Sequence, residues 1–450
     1  MTQTVQTESA SNSPKTLDAW LAHAEALSAR TIDLGLDRMR EMIGRLDIHF
    51  DAPVVTVGGT NGKGSTCTFI ESAARAAGLR TALHTSPHLL RFTERARLNG
   101  EEADEELLGR AFARVEAARG ELPLTYFEFT ALGILLVFEE FRPDLVILEI
   151  GLGGRLDAIN AIDPTVSVIT SIGVDHTAFL GDTREAIAWE KAHIFRPGRF
   201  AICADPEPPA TLVNHAREIG AKLLVFRRDF DARPLSQGGF EYVRNGVASG
   251  EFRPGLEGEN QLRNAAGALT ALRALSDSGF EKFALPHEIL ARGVANARIT
   301  GRFERVCEEP CLTILDVGHN PEAARALAAN LAASARPGER TIAVFGMLRD
   351  KDRTRVIRET APRIDEWFYA GLPGPRGGSA EDLGEHLLEA GVPQATAEPC
   401  ESVAEALGRA RVRAKVLLAD SAAPVRIIVF GSFVTVEAAL EELAREGVRR

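Results

Sequence analysis

Apolar residues recur every three or four positions from Leu17 to Leu46, with a break around Thr31-Ile32-Asp33-Leu34-Gly35. That spacing predicts helix on both sides of the break. Beyond residue 50 the pattern changes to short apolar runs, each followed by a turn and an amphipathic stretch. Val54–Val57, Thr81–Thr85, Leu145–Ile150 and Val166–Thr170 read as strands of this kind. The continuous run Leu145-Val146-Ile147-Leu148 predicts a strand buried on both faces, as in the middle of a parallel sheet. Val166–Thr170 reads as its neighbour. After Val54–Val57 and its turn, a helix of about a dozen residues is expected to end before Gly78, a candidate C-terminal cap.

Strand, turn and helix alternate along most of the chain, which predicts an α/β fold with right-handed crossovers. From Asp229 to Gly258 the sequence is glycine-rich, polar and dotted with aromatics, the pattern of a hairpin or an excursion from the first domain. Leu262–Leu275 is an alanine-rich helix, and the pattern resets around Arg298-Ile299-Thr300-Gly301-Arg302. A second α/β block follows, with strands at Thr313–Val317, Thr341–Phe345, Glu366–Tyr369 and Arg426–Phe430 and a terminal helix. Pro321 suits the first position of a helix capped by Asn320. The expected organisation is a flexible tail over residues 1–14, a first domain over 15–298 and a second over 299–450.

Composition narrows the class without choosing a substrate. A chain of 450 residues exceeds one typical core, and its 45% apolar and 26% charged residues are those of a soluble globular protein. The net charge of −11 argues against nucleic acid or an anionic membrane surface as partner. Apolar runs such as Ala131–Phe138 are too short to span a bilayer, and the first 14 residues lack a secretion signal's basic and apolar regions. Five cysteines without a C-x-x-C pair suggest reduced thiols and a cytoplasmic location. Cys307 and Cys311 lack the further His or Cys residues of a zinc site.

The chemistry starts at Gly58-Gly59-Thr60-Asn61-Gly62-Lys63-Gly64-Ser65. Glycines let backbone N–H groups converge on a phosphate, the following helix adds positive potential, and Lys63 adds a point charge. The spacing departs from the usual P-loop, because Gly64 separates Lys63 from Ser65 and Val57 stands five places before Gly62. We read it as an ATP loop. In open α/β sheets, ligands sit outside the C-terminal ends of the strands. Those ends carry His84-Thr85-Ser86-Pro87-His88, Glu149 with Gly151–Asp157, and Ser171–His176, all expected on one rim. Glu149 is a carboxylate in an apolar strand, so it needs a partner. Either it caps the strand and meets Arg155, or with Ser86 and the ATP phosphates it holds Mg²⁺. His176 gains weight from Asp175 beside it. Lys191 is a surface lysine by default. On an inward-turned helix face it would have a lowered pKa and could react with CO₂ to form a carbamate. Arg302 is placed to swing onto phosphates, Asp316 to meet a ribose and His319 to approach phosphate, although Asp316 and Asn320 also suit helix capping.

Further motifs are Phe92-Thr93-Glu94-Arg95, Thr125-Tyr126-Phe127-Glu128, Glu190–Phe195, Gly346-Met347-Leu348 and Gly431-Ser432-Phe433. Together they resemble the folylpolyglutamate synthases of the Mur ligase superfamily, specifically the bacterial bifunctional dihydrofolate synthases/folylpolyglutamate synthases. The likeness runs from Thr31 to Phe433. It implies a P-loop Mur-ligase-type ATPase domain with a parallel-sheet core, followed by a smaller Rossmann-like C-terminal domain. Gly59, Thr60, Asn61, Gly62, Lys63, Gly64 and Ser65 would bind ATP, with Asn264, Arg302 and Asp316 as further nucleotide contacts. Ser86 and Glu149 would ligate one Mg²⁺, and Glu149, His176 and carbamylated Lys191 would surround a second. Ile32, Asp33 and Leu34, with Thr125, Tyr126, Phe127 and Glu128 and with Arg155, Leu156 and Asp157, match pterin-binding positions. The implied reaction is ATP-dependent ligation of L-glutamate to dihydropteroate and to folates through an acyl phosphate, with Lys63, Glu149, His176 and Lys191 as the catalytic set. A monomer is implied as well. Two positions depart from the family: Gly318, where relatives often have alanine, and His193, where many have glycine.

Three other protein classes share part of this pattern. A peptidoglycan Mur ligase shares the loop but carries an N-terminal UDP-sugar domain, and 57 residues precede Gly58 here. A monofunctional folylpolyglutamate synthase shares the ATP machinery but not the three pterin segments. A non-catalytic ATP-binding regulator has no evident use for Glu149, His176 and Lys191.

Overall fold

The computed structural model describes residues 14–28, 33–307, 309–420 and 423–447. The first domain carries β1 (Val54–Gly58), β2 (Thr81–His84), β3 (Ala96–Leu98), β4 (Glu101–Glu102), β5 (Leu145–Glu149), β6 (Val166–Ile169), β7 (Phe200–Cys203) and β8 (Lys222–Val225). They form one sheet in the order β4-β3-β2-β5-β1-β6-β7-β8. Apart from β3 and β4, which pair antiparallel at one edge, the strands run parallel.

This order corrects one expectation: β6 is not the neighbour of β5. The phosphate-loop strand β1 lies between them, with Val55 beside Ile147 on one side and Val166 on the other. An apolar run reports burial on both faces and says nothing about which strand lies alongside.

Successive residues of the central strands enter two cores, as the two-residue period requires. Val55, Val57 and Ile147 pack with Phe69 and Ile70 of the helix Lys63–Ala76 and Leu269 and Leu272 of the helix Glu259–Asp277. Val54, Val146 and Leu148 face the other core, where Phe129, Leu132 and Leu136 of the helix Tyr126–Phe141 meet Trp20, Met39 and Phe112. The segment between Asp229 and Gly258 forms a separate antiparallel sheet of β9 (Phe230–Pro234), β10 (Phe240–Arg244) and β11 (Val247–Phe252). Phe240, Tyr242 and Phe252 bind it to the first core, and the Tyr242 hydroxyl lies 2.9 Å from that of Thr270.

The second sheet contains β12 (Glu304–Cys307), β13 (Leu312–Asp316), β14 (Arg340–Phe345), β15 (Glu366–Ala370), β16 (Ala397–Cys400) and β17 (Val425–Phe430). Its order is β12-β13-β17-β14-β15-β16, parallel except for β12. Asn320 caps the helix Pro321–Ala333 by accepting from the Ala323 N–H. The sequence reading does not identify β3, β4, β7, β8, β12 or β16, although Phe200–Cys203 of β7 and Leu223–Val225 of β8 are apolar runs.

Candidate active site

Because β1, β2, β5 and β6 are mutually parallel, their C-terminal ends share one rim. The rim lines a cavity of about 530 Å³ closed on its other side by the second domain. The phosphate loop is built into that rim by its glycines. Gly59 has φ +138, and a Cβ there would sit 2.0 Å from Thr170 Oγ1. Gly62 has φ +88, with Asn264 Oδ1 2.5 Å from a Cβ position. Both positions therefore exclude a side chain. The end of β6 braces the loop: Thr60 N donates to Ser171 O at 2.8 Å, and Thr170 Oγ1 donates to Asn61 O at 2.7 Å. Lys63 opens the helix and turns its ammonium back onto the carbonyls of Gly59 and Thr60, at 3.3 and 3.4 Å. The Ser65 hydroxyl is buried without a hydrogen-bond partner.

Glu149, Ser86, His176 and Lys191 line the same cavity. Burial pushes the Glu149 carboxyl upward, against the opposing charges of Lys63 and Arg302. Its alternative partner, Arg155, is engaged elsewhere, donating to Glu190 at 3.0 Å and lying over the Trp189 ring. Lys191 belongs to the helix Arg184–Ala192 and is buried rather than at the surface. Burial, with Lys63 nearby, lowers its amine to about 7, and Nζ donates to Gly59 O at 2.9 Å. The His193 ring packs between Trp189 and His215.

Among the described residues no group of three or more His, Cys, Asp or Glu side chains is placed to hold a metal ion. The available oxygen donors are the buried Glu149 carboxylate and the Ser65 and Ser86 hydroxyls, a set that fits a hard divalent cation bound together with phosphate oxygens. A second cation would have His176 and Glu149, and would need Lys191 converted from an amine to a carboxylate.

Asn264, Arg302, Asp316 and His319 also face the cavity. Arg302 sits at the domain junction, its guanidinium over the Phe433 ring. Both Asp316 oxygens hold backbone groups, accepting from Phe303 N at 3.0 Å and Gly318 N at 2.7 Å, so this carboxylate shapes its own loop. A Cβ at Gly318 would lie 2.7 Å from Asp316 Oδ1. His319 places Nε2 3.6 Å from Asp175 Oδ2. Glu322 and Lys351 also line the cavity, and the sequence reading gives neither a role. Asn61 and Asn320 exchange side-chain hydrogen bonds at 3.1 and 2.9 Å, Asn61 also donates to Glu322, and Lys351 pairs with Asp175. No sequence signal links residues about 260 positions apart, although Asn61 in the phosphate loop and Asn320 in the motif Asp316–Pro321 are each marked separately.

A second cavity of about 270 Å³ adjoins the first. Asp33, Leu34, Thr125, Phe127, Glu128, Leu156 and Asp157, from the three segments that the family resemblance assigns to pterin, line it. Tyr126 and Arg155 are not among its lining residues, and Ile32 lies outside the described residues. Thr125 and Glu128 form a reciprocal cap of their helix, and Arg38 ties Glu128 to Asp33. Burial raises the Asp157 carboxyl to about 6, although it accepts from Leu152 N and Ile159 N. Arg95, from the motif Phe92-Thr93-Glu94-Arg95, also lies on this wall. Ser86, Pro87, Gly151 and Leu152 line both cavities.

Comparison with known proteins adds to this geometry. The Mur ligase middle domain model matches residues 57–272, and the Mur ligase, glutamate ligase domain model matches residues 301–433. The chain is 41% identical over 427 residues to a dihydrofolate synthase/folylpolyglutamate synthase of Escherichia coli (strain K12), covering 94% of this chain and 95% of that one. A protein of the same name from Haemophilus influenzae is 38% identical over 437 residues, covering 93% and 96%. The solved structure of E. coli FolC in complex with DHPP and ADP superposes with a TM-score of 0.87 at 39% identity, covering 97% of this chain and 99% of that chain. A bifunctional folylpolyglutamate synthase/dihydrofolate synthase from Yersinia pestis, complexed with AMPPNP and a Mn ion, gives 0.84 at 39% identity, covering 96% and 99%.

Proposed function

The chain belongs to the dihydrofolate synthase/folylpolyglutamate synthase family of Mur ligases, and on that premise we propose how its two cavities divide the reaction. The enzyme is an ATP-dependent ligase that joins L-glutamate to dihydropteroate and to folates. A carboxylate resists an amine because its oxygen is a poor leaving group. Transfer of the γ-phosphoryl group of ATP to the substrate carboxylate makes an acyl phosphate. The amine of L-glutamate then attacks the carbonyl carbon, the tetrahedral adduct collapses, phosphate leaves and the amide remains.

The larger cavity takes ATP. Backbone N–H groups from Gly62 to Ser65 cradle its phosphates, and Lys63 exchanges its loop carbonyls for the transferring phosphoryl group. Asn264 and Arg302 complete the nucleotide side, with Asp316 and His319 holding the loop around it. The smaller cavity takes the pterin, against Phe127, Leu156 and Asp157. The observation that carries this reading is the wall common to both cavities at Ser86, Pro87, Gly151 and Leu152. It directs the carboxylate-bearing end of a pterin ligand toward Glu149 and the phosphate loop.

A divalent cation bound with ATP supplies charge neutralisation at the phosphoryl oxygens. Ser65, Ser86 and Glu149 would hold it, and Glu149, His176 and Lys191 would hold a second. Lys191 serves as a carbamate: its neutral amine attacks CO₂, one N–C bond forms, one proton leaves, and a carboxylate results. Burial and the lowered pKa of the amine support this. The enzyme acts as a monomer in the cytoplasm. Both cavities are built from one chain, the five cysteines are free, and among the described residues no helix is long and apolar enough to cross a membrane.

Glutamate-dependent ADP release, with dihydropteroate and tetrahydrofolate offered separately, tests the assignment. Turnover of both is expected. Turnover of tetrahydrofolate alone would reject the pterin role of the smaller cavity.

A further inference from the structure

We propose that Asp175 is a positioning residue through which docking of the C-terminal domain sets His176. The proposal rests on the reading of His176 as a metal-side residue. Asp175 and His176 follow β6 on the rim. His176 has φ +53, a left-handed state that costs a residue with a side chain and clusters at functional sites. Asp175 beside it is only 10% exposed, and a carboxylate so enclosed is stable only with partners.

Most of those partners belong to the other domain. Lys351, in the loop after β14 and only 7% exposed itself, lies 2.5 Å from Asp175 Oδ1. Asn320 Nδ2 donates to Oδ2 at 3.2 Å, and His319 Nε2 stands 3.6 Å from the same oxygen. On its own side, Asp175 Oδ1 accepts the His176 N–H at 2.8 Å, and Oδ2 is 4.0 Å from His176 Nε2. One carboxylate therefore touches the histidine's backbone, faces its ring, and is held by three side chains from across the domain seam. Undocking removes those three and returns the carboxylate to water, leaving His176 with local contacts only.

A carboxylate beside a ligating imidazole sets its ring orientation and basicity. Placing that carboxylate under the control of the C-terminal domain makes the metal-side geometry complete only when the cavity is closed. The same docked state joins Asn61 of the phosphate loop to Asn320 and Glu322. Phosphoryl transfer is thereby tied to exclusion of water, which would otherwise consume the acyl phosphate.

The test uses the full-length protein with AMPPNP, titrated with Mn²⁺ and followed by electron paramagnetic resonance, alongside kcat and KM. The variants are Asp175→Asn and Lys351→Met, with His176→Ala as reference. Both Asp175→Asn and Lys351→Met should weaken the second bound Mn²⁺ about 10- to 100-fold and lower kcat, with the first Mn²⁺ and KM for ATP little changed. If His176→Ala still binds both ions, the metal reading of His176 fails and this proposal with it. If His176→Ala loses the second ion but Lys351→Met keeps it, the coupling alone is overturned. A Lys351→Met defect confined to KM for L-glutamate would overturn it equally. Should Asp175→Asn fail to fold, Lys351→Met carries the test, with its thermal midpoint as the control for folding.

Discussion

An amine enclosed beside Gly59 O, with Lys63 nearby, is lowered to about 7, so Lys191 passes from ammonium to free amine near neutrality. Only the free amine reacts with CO₂. A carbamate signal from ¹³C-bicarbonate should therefore grow as pH rises through about 7 and be missing in Lys191→Ala, whose kcat should fall roughly 10²- to 10³-fold. Normal turnover in that variant would remove the carbamate. Asp157 shows the opposite sign. Its folded pKa, raised by burial from 3.8 to about 6, favours the protonated form. Its contribution to stability is complete below about pH 4 and lost as pH rises through about 6. Asp157→Asn should flatten the thermal midpoint across that window, and an unchanged slope would place the titration elsewhere.

The helix Tyr126–Phe141 shows how one element serves both fold and site. Its cap is reciprocal: the Thr125 hydroxyl accepts from Glu128 N at 3.2 Å, while Glu128 Oε2 accepts from Thr125 N at 2.8 Å. The same carboxylate meets Arg38, which organises the Asp33 side of the smaller cavity. Thr125→Ala is expected to lower stability by about 1 kcal/mol, and to raise KM for dihydropteroate more than KM for ATP. Equal changes in both KM values would argue against this cavity as the pterin site. The turn between β1 and the helix Lys63–Ala76 is less forgiving. Gly59→Ala would drive a Cβ against Thr170 Oγ1 at a backbone angle suited to glycine, so ATP binding should be lost even where the variant folds. Calorimetry with AMPPNP reads that loss.

At the scale of the whole molecule, neither domain has a complete site. The first supplies the phosphate loop and the wall shared with the smaller cavity, and the second supplies Asp316, His319, Glu322 and Lys351 to the larger one. Asn61 is the direct tie between loop and second domain. Asn61→Ala should loosen the closed state and let water reach the acyl phosphate. The ratio of ADP released to glutamate incorporated should then rise above one, whereas a strict one-to-one ratio would show that this contact does not guard the intermediate.

Local chemistry makes much of this legible in the sequence. The glycines around Lys63 announce a phosphate loop because few other residues accept that backbone path. The run Leu145–Leu148 announces a buried strand, and Glu149 stands out as a charge at its end. The cap at Asn320 and Pro321 also follows from neighbouring residues alone. Three things needed the fold. Strand order did, because β1 parts β5 from β6 through pairings to which an apolar run is blind. The fate of Lys191 did, because helix spacing does not say which face turns inward. The partners of Asp175, Asn61 and Arg155 did as well, because they lie on separate elements and meet only when sheets and domains pack. Motifs within one turn or strand are written in consecutive residues, whereas burial and long-range pairing arise from the packing of distant segments, and these decide protonation and alignment.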